Sequence, residues 1–510
     1  MFVMVKKIIY CIIYSALLAL MLAAEVWLAV SVIRLNMLPD LYLWILLGAL
    51  TVLFASCALL LFVHKKGKWI GVFRQIVACV LMAVTVAGCV FVTPKVAQLY
   101  STVEQITVNE PEGPTRSVYV QKDDPAMTIA DATEYTFAAL LTDEQCVKQV
   151  VEAIKAETGK TIQVEYFDDE SLMAASYYSG ETKAMILNKE FLDIWAENEL
   201  YFEFDQKNRV LNSYAVVMML QEVGLKTEPD PEPVADITNT PFVAYISGMD
   251  SYSQILGRTR SDVNILMVVN PVSKQILMVN TPRDYYIVHP WGSGGRDKLT
   301  HCGVYGIECS VDALENLYGV PVNYYMQINF AGFEQLIDAI GGITIHLDTS
   351  ASGGDATDTE FVFVPAGDVT LGGREALVVA RDRKTQPGGD NGRGLNQMKV
   401  VKAVIEKIAS ARTIVANYSQ ILKSLEGMIA TNLSSEDLSK LVKMQLSDMA
   451  QWNVQTYAVT GYGGTQTTYS MPGLATYVMH PHQSTVNYGS ELIQKVIDGE
   501  ILTAEDMKMS

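Results

Sequence analysis

Three long hydrophobic runs occupy the first hundred residues of the chain. They cover Ile8–Ile33, Leu41–Val63 and Trp69–Val92. Each run is long enough to cross about 30 Å of hydrocarbon as a helix that rises about 1.5 Å per residue. The pattern predicts a membrane anchor of three transmembrane helices within residues 1–100.

Basic residues flank these runs unevenly. Lys6 and Lys7 precede the first run, and Lys65, Lys66 and Lys68 lie between the second and the third. Because basic residues favour the cytoplasmic side, we expect the N-terminus inside and everything after the third run outside. Two further spans follow the first run, which favours a retained multi-pass anchor over a cleaved signal peptide.

Two stretches rich in proline and charge divide the rest of the chain. They lie at Asn109–Ser117 and Thr227–Pro241. Between them, SVYV and IQVEYF have the composition of strands, and Asp143–Thr158 has apolar residues at helical spacing. The pattern predicts a small extracellular α/β accessory domain at residues 117–226, without a catalytic constellation.

After Pro241, dense apolar runs alternate with helical patterns. The runs FVAYISG, VNILMVVN and QILMVNT are typical of buried sheet strands, and VNYYMQIN and ITIHL predict two more. The predicted helices are Ser310–Leu317, Phe330–Ile340, Glu375–Arg383 and Lys399–Ala411. We therefore expect an α/β domain, with helices packed on a sheet, at residues 242–505.

Charge is distributed unevenly as well. Residues 1–100 have a net charge of +6, which leaves −24 for the remainder of a chain whose total is −18. So acidic a remainder will not attract polyanions such as nucleic acid through its overall charge. An anion site must instead be local and built from clustered basic side chains.

Charged residues recur where the predicted strands begin or end. Asp250 follows the first strand of the C-terminal domain, Asp262 precedes the second, and Arg283 follows the third. A fourth cluster, RDRKTQPGGDNGRGLNQ, spans Arg381–Gln397. Converging carboxylates suit Mg²⁺, and arginines bind phosphate oxygens through two parallel hydrogen bonds. The pattern predicts a site for Mg²⁺ and a diphosphate.

Glycines in the fourth cluster add to this prediction. Gly388, Gly389, Gly392 and Gly394 would let a loop bend sharply and bring backbone amides close to an anion. Each feature also has a simpler interpretation: the two aspartates as turn residues, Arg283 as a partner of Asp284 alone, and Lys298 as a surface lysine. The order and spacing of the features favour the site.

These motifs together resemble one known family. GMDS, RSD, TPRD, DKLTH, NYYMQINFAGFEQLIDAIGG, GREAL, RDRK and GDNGRGLNQ, followed by TNLS and YSMPG, occur in the order of the LytR–CpsA–Psr family of cell-wall polymer ligases. The resemblance covers about Phe242–Ile501. It implies an α-β-α catalytic domain with a central mixed sheet, which transfers a glycopolymer from a polyprenyl-diphosphate carrier to a peptidoglycan hydroxyl outside the cell membrane.

The resemblance also implies residue roles. Asp250 and Asp262 match metal ligands for Mg²⁺, and Asp390 either orients the arginines or accepts the proton of the attacking hydroxyl. The residues expected to bind the diphosphate are Arg283, Lys298, Arg381, Arg383, Arg393 and Gln397. Arg283, Arg381 and Asp390 are the expected catalytic residues.

Some positions depart from the family pattern. The family usually has an aromatic residue at the position of Asn391 and an arginine at that of Asn396, so we consider Lys384 or Lys399 as replacements for the missing cation. Thr300 replaces a usual asparagine.

Three questions stay open at this point. The site could instead hydrolyse polyprenyl diphosphate, or the protein could be a non-catalytic polyprenyl-phosphate-binding scaffold. A Cys302–Cys309 disulfide is also left open.

Overall fold

The computed structural model describes residues 2–62, 68–108, 115–196, 198–216, 232–249, 258–292, 294–354, 360–409, 421 and 428–508. The predicted metal ligand Asp250 therefore lies outside the described residues. The chain divides into two compact units. The first comprises residues 1–108, 409–426 and 433–451, and the second comprises residues 109–408, 427–432 and 452–510.

Three long apolar helices dominate the first unit, as predicted. They are Phe2–Leu35, Asp40–Phe62 and Lys68–Val108, and all three are long and apolar enough to cross a membrane. The third apolar segment, Val72–Ser101, extends further than predicted because the helix continues through Pro94. The unit also contains the helix Ser435–Asp448, whose Lys443 Nζ lies 2.7 Å from Asp40 Oδ1.

A five-stranded mixed sheet, here called the small sheet, opens the second unit. Its helices are Glu144–Thr158, Glu170–Ser179, Leu192–Trp195 and Phe204–Lys207, with 3-10 turns at Leu141–Asp143, Lys189–Phe191 and Glu199–Tyr201. In spatial order its strands are Gln163–Phe167, Thr136–Leu140, Ala184–Leu187, Thr115–Gln121 and Asn208–Ala215.

Alternate residues of the small sheet point to opposite faces. Val118 belongs to the core under Glu144–Thr158, and Tyr119 to the core under Glu170–Ser179. The strands expected from SVYV and IQVEYF and the helix expected at 143–158 are confirmed. The boundaries of an accessory domain stay a prediction.

A six-stranded mixed sheet, here called the large sheet, forms the rest of the core. In spatial order its strands are Ile429–Thr431, Tyr324–Asn329, Phe242–Met249, Ser261–Asn270, Gln275–Asn280 and Asn453–Ala458. Met249 pairs with both Asn329 and Ser261. The ends of the two parallel strands Tyr324–Asn329 and Phe242–Met249 and the start of the antiparallel strand beside them, Ser261–Asn270, therefore share one edge, where the predicted charged residues begin.

Helices and hairpins surround the large sheet and confirm the α/β class. The helices are Leu299–Tyr305, Ile307–Tyr318, Phe330–Ala339, Gly373–Arg381, Asp390–Ile408 and Gln483–Ile497. Short strands lie at Tyr286–Val288, Arg296–Lys298, Ile343–Leu347, Ala351–Gly354, Phe361–Val364, Gly367–Leu371, Gly461–Gln466 and Thr476–Pro481.

The start predicted for one of these helices is wrong. The helix expected to begin at Ser310 begins at Ile307, because Gly306, with φ 134°, separates it from the preceding helix. Ser310 is buried inside the helix. The predicted end at Gly319 is confirmed: its φ is 70° and its N–H donates to Glu315 O.

Candidate functional site

A cavity of about 380 Å³, here called the arginine cavity, lies at this edge of the large sheet. Sheet strands and the helices Phe330–Ala339, Gly373–Arg381 and Asp390–Ile408 all contribute to its lining. Its charged and amide lining residues are Arg260, Asp262, Arg283, Asn329, Arg381, Arg383, Arg393 and Gln397. Its apolar lining residues include Ile246, Val263, Ile328, Phe330, Phe333, Leu377 and Val401.

The structure thus brings most of the predicted site residues into one cavity. The remaining described ones, Asp390 and Lys298, lie beside it. Asp390 lines a second cavity of about 310 Å³, and Lys298 lines a small space of about 20 Å³. Arg283 lines all three spaces and is the centre of the site.

An ion pair joins Asp262, at the start of the strand Ser261–Asn270, to Arg283, which follows the neighbouring strand Gln275–Asn280. Arg283 donates through one terminal nitrogen to both carboxylate oxygens of Asp262, at 2.8 Å each. Burial would raise the pKa of Asp262, but the guanidinium groups of Arg283 and Arg393 outweigh burial and leave that pKa below its usual value. Asp262 is therefore ionised near neutral pH.

A second pair contains the aspartate of the glycine-rich stretch. Arg393 lies 2.5 Å from Asp390 Oδ1, one helical turn away. Burial raises the pKa of Asp390 above its usual value, although the charges of Arg393 and Arg283 act in the opposite direction. Asp390 thus binds a proton more readily than an ordinary aspartate.

Asp284 bridges two basic residues of the site. Its carboxylate lies 3.6 Å from Arg283 Nε and 3.7 Å from Lys298 Nζ. Lys298 is almost fully buried and also donates to Thr476 Oγ1 at 3.1 Å. The interpretation of Lys298 as a surface lysine is therefore wrong, and that of Arg283 as a partner of Asp284 alone is wrong too.

The RDRK segment places two arginines on the cavity. The guanidinium carbon of Arg381 lies 4.8 Å from the ring centre of Phe330, a favourable cation–π contact. Between the two arginines, Asp382 Oδ1 accepts from the backbone N–H groups of Lys384 and Thr385 at 3.0 and 3.1 Å. Gln397 Nε2 donates to Ala380 O at 3.0 Å and thereby ties the next helix to this segment.

The glycines of this stretch do not form one loop, so that prediction is corrected. Gly388 and Gly389 have positive φ and make the turn, but the helix that follows starts at Asp390 rather than at Lys399. Gly392 and Gly394 lie inside the helix, where a Cβ would approach Pro387 O to 2.4 Å and Asn280 Nδ2 to 2.5 Å. They allow close packing instead of a flexible loop.

Sequence reasoning missed Arg260, although RTRSD carried the signal. Arg260 lines both the arginine cavity and the small space near Lys298. Lys399 pairs with the exposed Asp348 instead, and within the described part of the chain neither Lys384 nor Lys399 lines the arginine cavity. The additional cation near the site is therefore Arg260.

Three buried side chains form a separate cluster that their sequence spacing did not reveal. The ligand-type atoms of His289, Cys302 and Cys309 all lie within 4.8 Å of one another. Both cysteines are free, so the structure contains no Cys302–Cys309 disulfide. Burial lowers the pKa of His289 to about 4 and raises that of Cys309 well above its usual value. Both shifts favour the uncharged forms of His289 and Cys309.

Comparisons with known proteins agree with this architecture. The sequence model of the LytR_cpsA_psr family matches residues 214–485, more than half of the chain. Polyisoprenyl-teichoic acid–peptidoglycan teichoic acid transferase TagU of Enterococcus faecalis is 36% identical over 207 residues, which are 39% of this chain and 64% of that protein. TagU of Bacillus subtilis is 35% identical over 199 residues, which are 39% of this chain and 62% of that protein. Both matches span less than two thirds of the relative.

Two solved structures are similar to part of this chain. The crystal structure of B. subtilis TagV is 24% identical and covers 51% of this chain and 98% of that one, with a TM-score of 0.43. The crystal structure of B. subtilis TagT is 25% identical and covers 55% of this chain and 97% of that one, with a TM-score of 0.39.

Proposed function

Since this chain belongs to the LytR_cpsA_psr family, we propose that it transfers a polyprenyl-diphosphate-linked glycopolymer to a hydroxyl of peptidoglycan. The relatives named as teichoic acid transferases support this reaction class. Teichoic acid, capsule and similar glycans all fit the proposal. A membrane-bound carrier also suits a protein with three helices that are able to cross a membrane.

One observation carries the proposal, namely the composition of the arginine cavity. Four guanidinium groups with predicted roles, those of Arg283, Arg381, Arg383 and Arg393, share a single cavity with apolar side chains. Guanidinium groups bind phosphate oxygens through paired hydrogen bonds. The apolar lining, which includes Phe333, suits the first isoprene units of the carrier. A diphosphate with a prenyl tail therefore matches both the guanidinium groups and the apolar side chains of the cavity.

The proposed reaction is displacement at phosphorus. The acceptor oxygen forms a bond to the phosphorus that carries the glycan, the bond from that phosphorus to the bridging oxygen breaks, and polyprenyl phosphate leaves. Arg283 and Arg381 stabilise the negative charge that grows on the bridging oxygen. Asp390 accepts the proton of the attacking hydroxyl, a role that its raised pKa supports.

The donor set at Asp262 also fits Mg²⁺. Its carboxylate is ionised and borders both larger cavities. Arg283 donates to both carboxylate oxygens of Asp262, and each oxygen has further lone-pair positions that could accept another contact. Asp262, with Asp250 outside the described residues, would hold the ion, and Mg²⁺ would supply further neutralisation of phosphate charge.

The proposed substrates lie on the outer side of the cell membrane, which requires a particular orientation of the protein in that membrane. We propose that the protein lies in the cell membrane with its N-terminus in the cytoplasm and its catalytic part outside. The basic residues between the second and third helices support this placement. The site would then face peptidoglycan and the head group of the carrier.

Product analysis tests the proposal. The full chain in detergent is incubated with a synthetic polyprenyl-diphosphate glycan, Mg²⁺ and peptidoglycan oligomers, and the products are identified by mass. We expect a glycan–peptidoglycan adduct and polyprenyl phosphate, both lost in Arg381→Ala. Arg374→Ala is the matched control, because Arg374 lies on the same helix and pairs with Glu360. Released glycan phosphate without adduct would indicate hydrolysis, and lipid binding without turnover would indicate a scaffold.

A further inference from the structure

The small sheet shares a hydrophobic core with the part of the chain that carries the site. Phe191, Ile194 and Trp195 pack in one cluster with Val304 and Met471. Trp195 and Met471 are each 1% exposed, and Val304 is fully buried. Val304 lies on the helix Leu299–Tyr305, directly after Lys298. The contact is therefore an apolar interface beside the site rather than a loose tether.

Two hydrogen bonds connect this interface to one segment, Thr468–Gly473. Trp195 Nε1 donates to Ser470 O at 2.8 Å, and Gly473 N–H donates to Glu170 Oε2 at 3.0 Å. A Cβ on Gly473 would lie 2.6 Å from Ser171 Oγ, so the segment fits closely against the start of the helix Glu170–Ser179. The small sheet thereby fixes the position of Thr468–Gly473.

The same segment continues to the site through a buried carboxylate. Ser470 donates to Asp297 Oδ2 through its backbone N–H at 2.9 Å and also through its hydroxyl. The other oxygen of Asp297 accepts from Lys298 N–H at 2.7 Å and lies 2.6 Å from His301 Nδ1. Asp297 is fully buried, so these contacts set the backbone that carries Lys298.

A side chain of the small sheet also reaches the site itself. Ile194 and Met471 line the small space that contains Arg260, Arg283 and Lys298. Lys298 contacts Asp284, which contacts Arg283. A continuous series of contacts thus runs from Trp195 to the central arginine.

We propose that the small sheet is a positioning element for the anion site, acting through Trp195, Ser470 and Asp297 to hold Lys298 and Asp284 beside Arg283. The inference rests on the proposed function for the identity of the anion, a diphosphate. It assigns Trp195 and Ser470 as positioning residues, because neither lines the arginine cavity. It gives the 115–216 segment, which the sequence predicts to have no catalytic constellation of its own, a role at the site.

Trp195→Phe tests the inference, since it retains an aromatic ring and removes the donor to Ser470. Tyr177→Phe is the matched control, because it removes a buried 2.8 Å bond in the same core that goes to Asn208 and not to Thr468–Gly473. Binding of inorganic diphosphate to the full chain in detergent is measured by calorimetry. We expect Trp195→Phe to weaken binding about three- to tenfold, the effect of one lost hydrogen bond, and Tyr177→Phe to leave it unchanged.

Two further measurements separate the possible failures. Hydrogen exchange at residues 296–302 should rise in Trp195→Phe and in Ser470→Ala, but not in Tyr177→Phe, whether or not the ligand is correct. Unchanged exchange in this segment would overturn the positioning role. If the wild type binds diphosphate, Arg283→Ala does not, and Trp195→Phe binds like the wild type, only the inference fails. If the wild type does not bind diphosphate, the proposed function fails, and the exchange data alone decide the inference.

Discussion

Two buried arginine–aspartate pairs in this protein differ in how the arginine uses its donors. In the small sheet, Arg116 donates to both oxygens of Asp143 through two nitrogens and to Thr115 O through the third. At the site, Arg283 binds Asp262 through one nitrogen only, and its Nε lies 3.6 Å from the carboxylate of Asp284. Asp143 and Thr115 thus occupy all three nitrogens of Arg116, whereas the guanidinium group of Arg283 borders cavities in which it can bind a ligand.

Their surroundings differ in the same sense. The Arg116 side chain is 2% exposed and the Arg283 side chain 16%. For each arginine, burial lowers the pKa but the neighbouring carboxylates outweigh it, so the net pKa is raised. Both are permanently charged, and Arg283 also borders the arginine cavity and the second cavity. Charge alone therefore does not identify a site, and access to a cavity distinguishes Arg283 from Arg116.

Replacing each pair by apolar residues should give the largest difference. Arg283→Met with Asp262→Leu should abolish diphosphate binding and transfer, because the central donors are lost. Arg116→Met with Asp143→Leu should leave binding intact and change stability little, since apolar residues often replace a buried ion pair without loss. Calorimetry with diphosphate and thermal unfolding of both variants measure this, and equal binding losses would remove the distinction.

The aspartates of the site and of the structural pair should differ in their effect on the transfer rate. Asp390→Asn should lower the transfer rate about 10²- to 10⁴-fold, the usual contribution of a positioned base, while diphosphate binding persists. Asp143→Asn, at the structural pair, should lower stability without a comparable loss of rate. Single-turnover assays with saturating donor measure the rate. A rate for Asp390→Asn close to that of the wild type would remove the base from the mechanism.

Arg260 should have a smaller effect because it lies at the margin of the site. Arg260→Gln should weaken diphosphate binding about tenfold, as expected for one charge-assisted hydrogen bond. Arg374→Gln, which changes an exposed pair, is the control. Calorimetry on both variants decides whether Arg260 supplies the additional cation, and equal affinities would exclude it.

The smallest predicted effect is a shift in pH dependence. Arg393 lowers the pKa of Asp390 against the larger effect of burial. In Arg393→Gln that pKa should rise, so the acidic limb of the transfer rate should move to higher pH, because Asp390 must be ionised to accept a proton. Arg383→Gln, at the same cavity, should weaken binding without this shift. Profiles of the transfer rate between about pH 4 and 8 measure the shift in both variants. An acidic limb of Arg393→Gln at the same pH as that of the wild type would contradict the role of Asp390 as the base.

Hydrophobic periodicity was sufficient for most of the fold. The three apolar helices, the four central strands of the large sheet and the end of the helix at Gly319 follow from local patterns, because helix length, strand composition and glycine caps are short-range properties. The two outer strands, Ile429–Thr431 and Asn453–Ala458, were not predicted. The predicted start at Ser310 failed since Gly306 ends one helix and begins the next. Gly392 and Gly394 were misjudged because the neighbours that require them, Pro387 and Asn280, are set by packing.

The sequence alone showed which charged residues lie near strand ends, and their order was enough to recognise the family and to name most of the charged residues that line the arginine cavity. Packing of the sheets and helices determined which of these charges share a cavity, added Arg260 and Asp284, and brought the small sheet against Thr468–Gly473. The two kinds of feature differ in the distance along the chain over which they depend on other residues. Secondary structure depends on neighbours along the chain, whereas access, desolvation and the pairing of charges depend on residues that are distant in sequence and meet only when the sheets and helices pack.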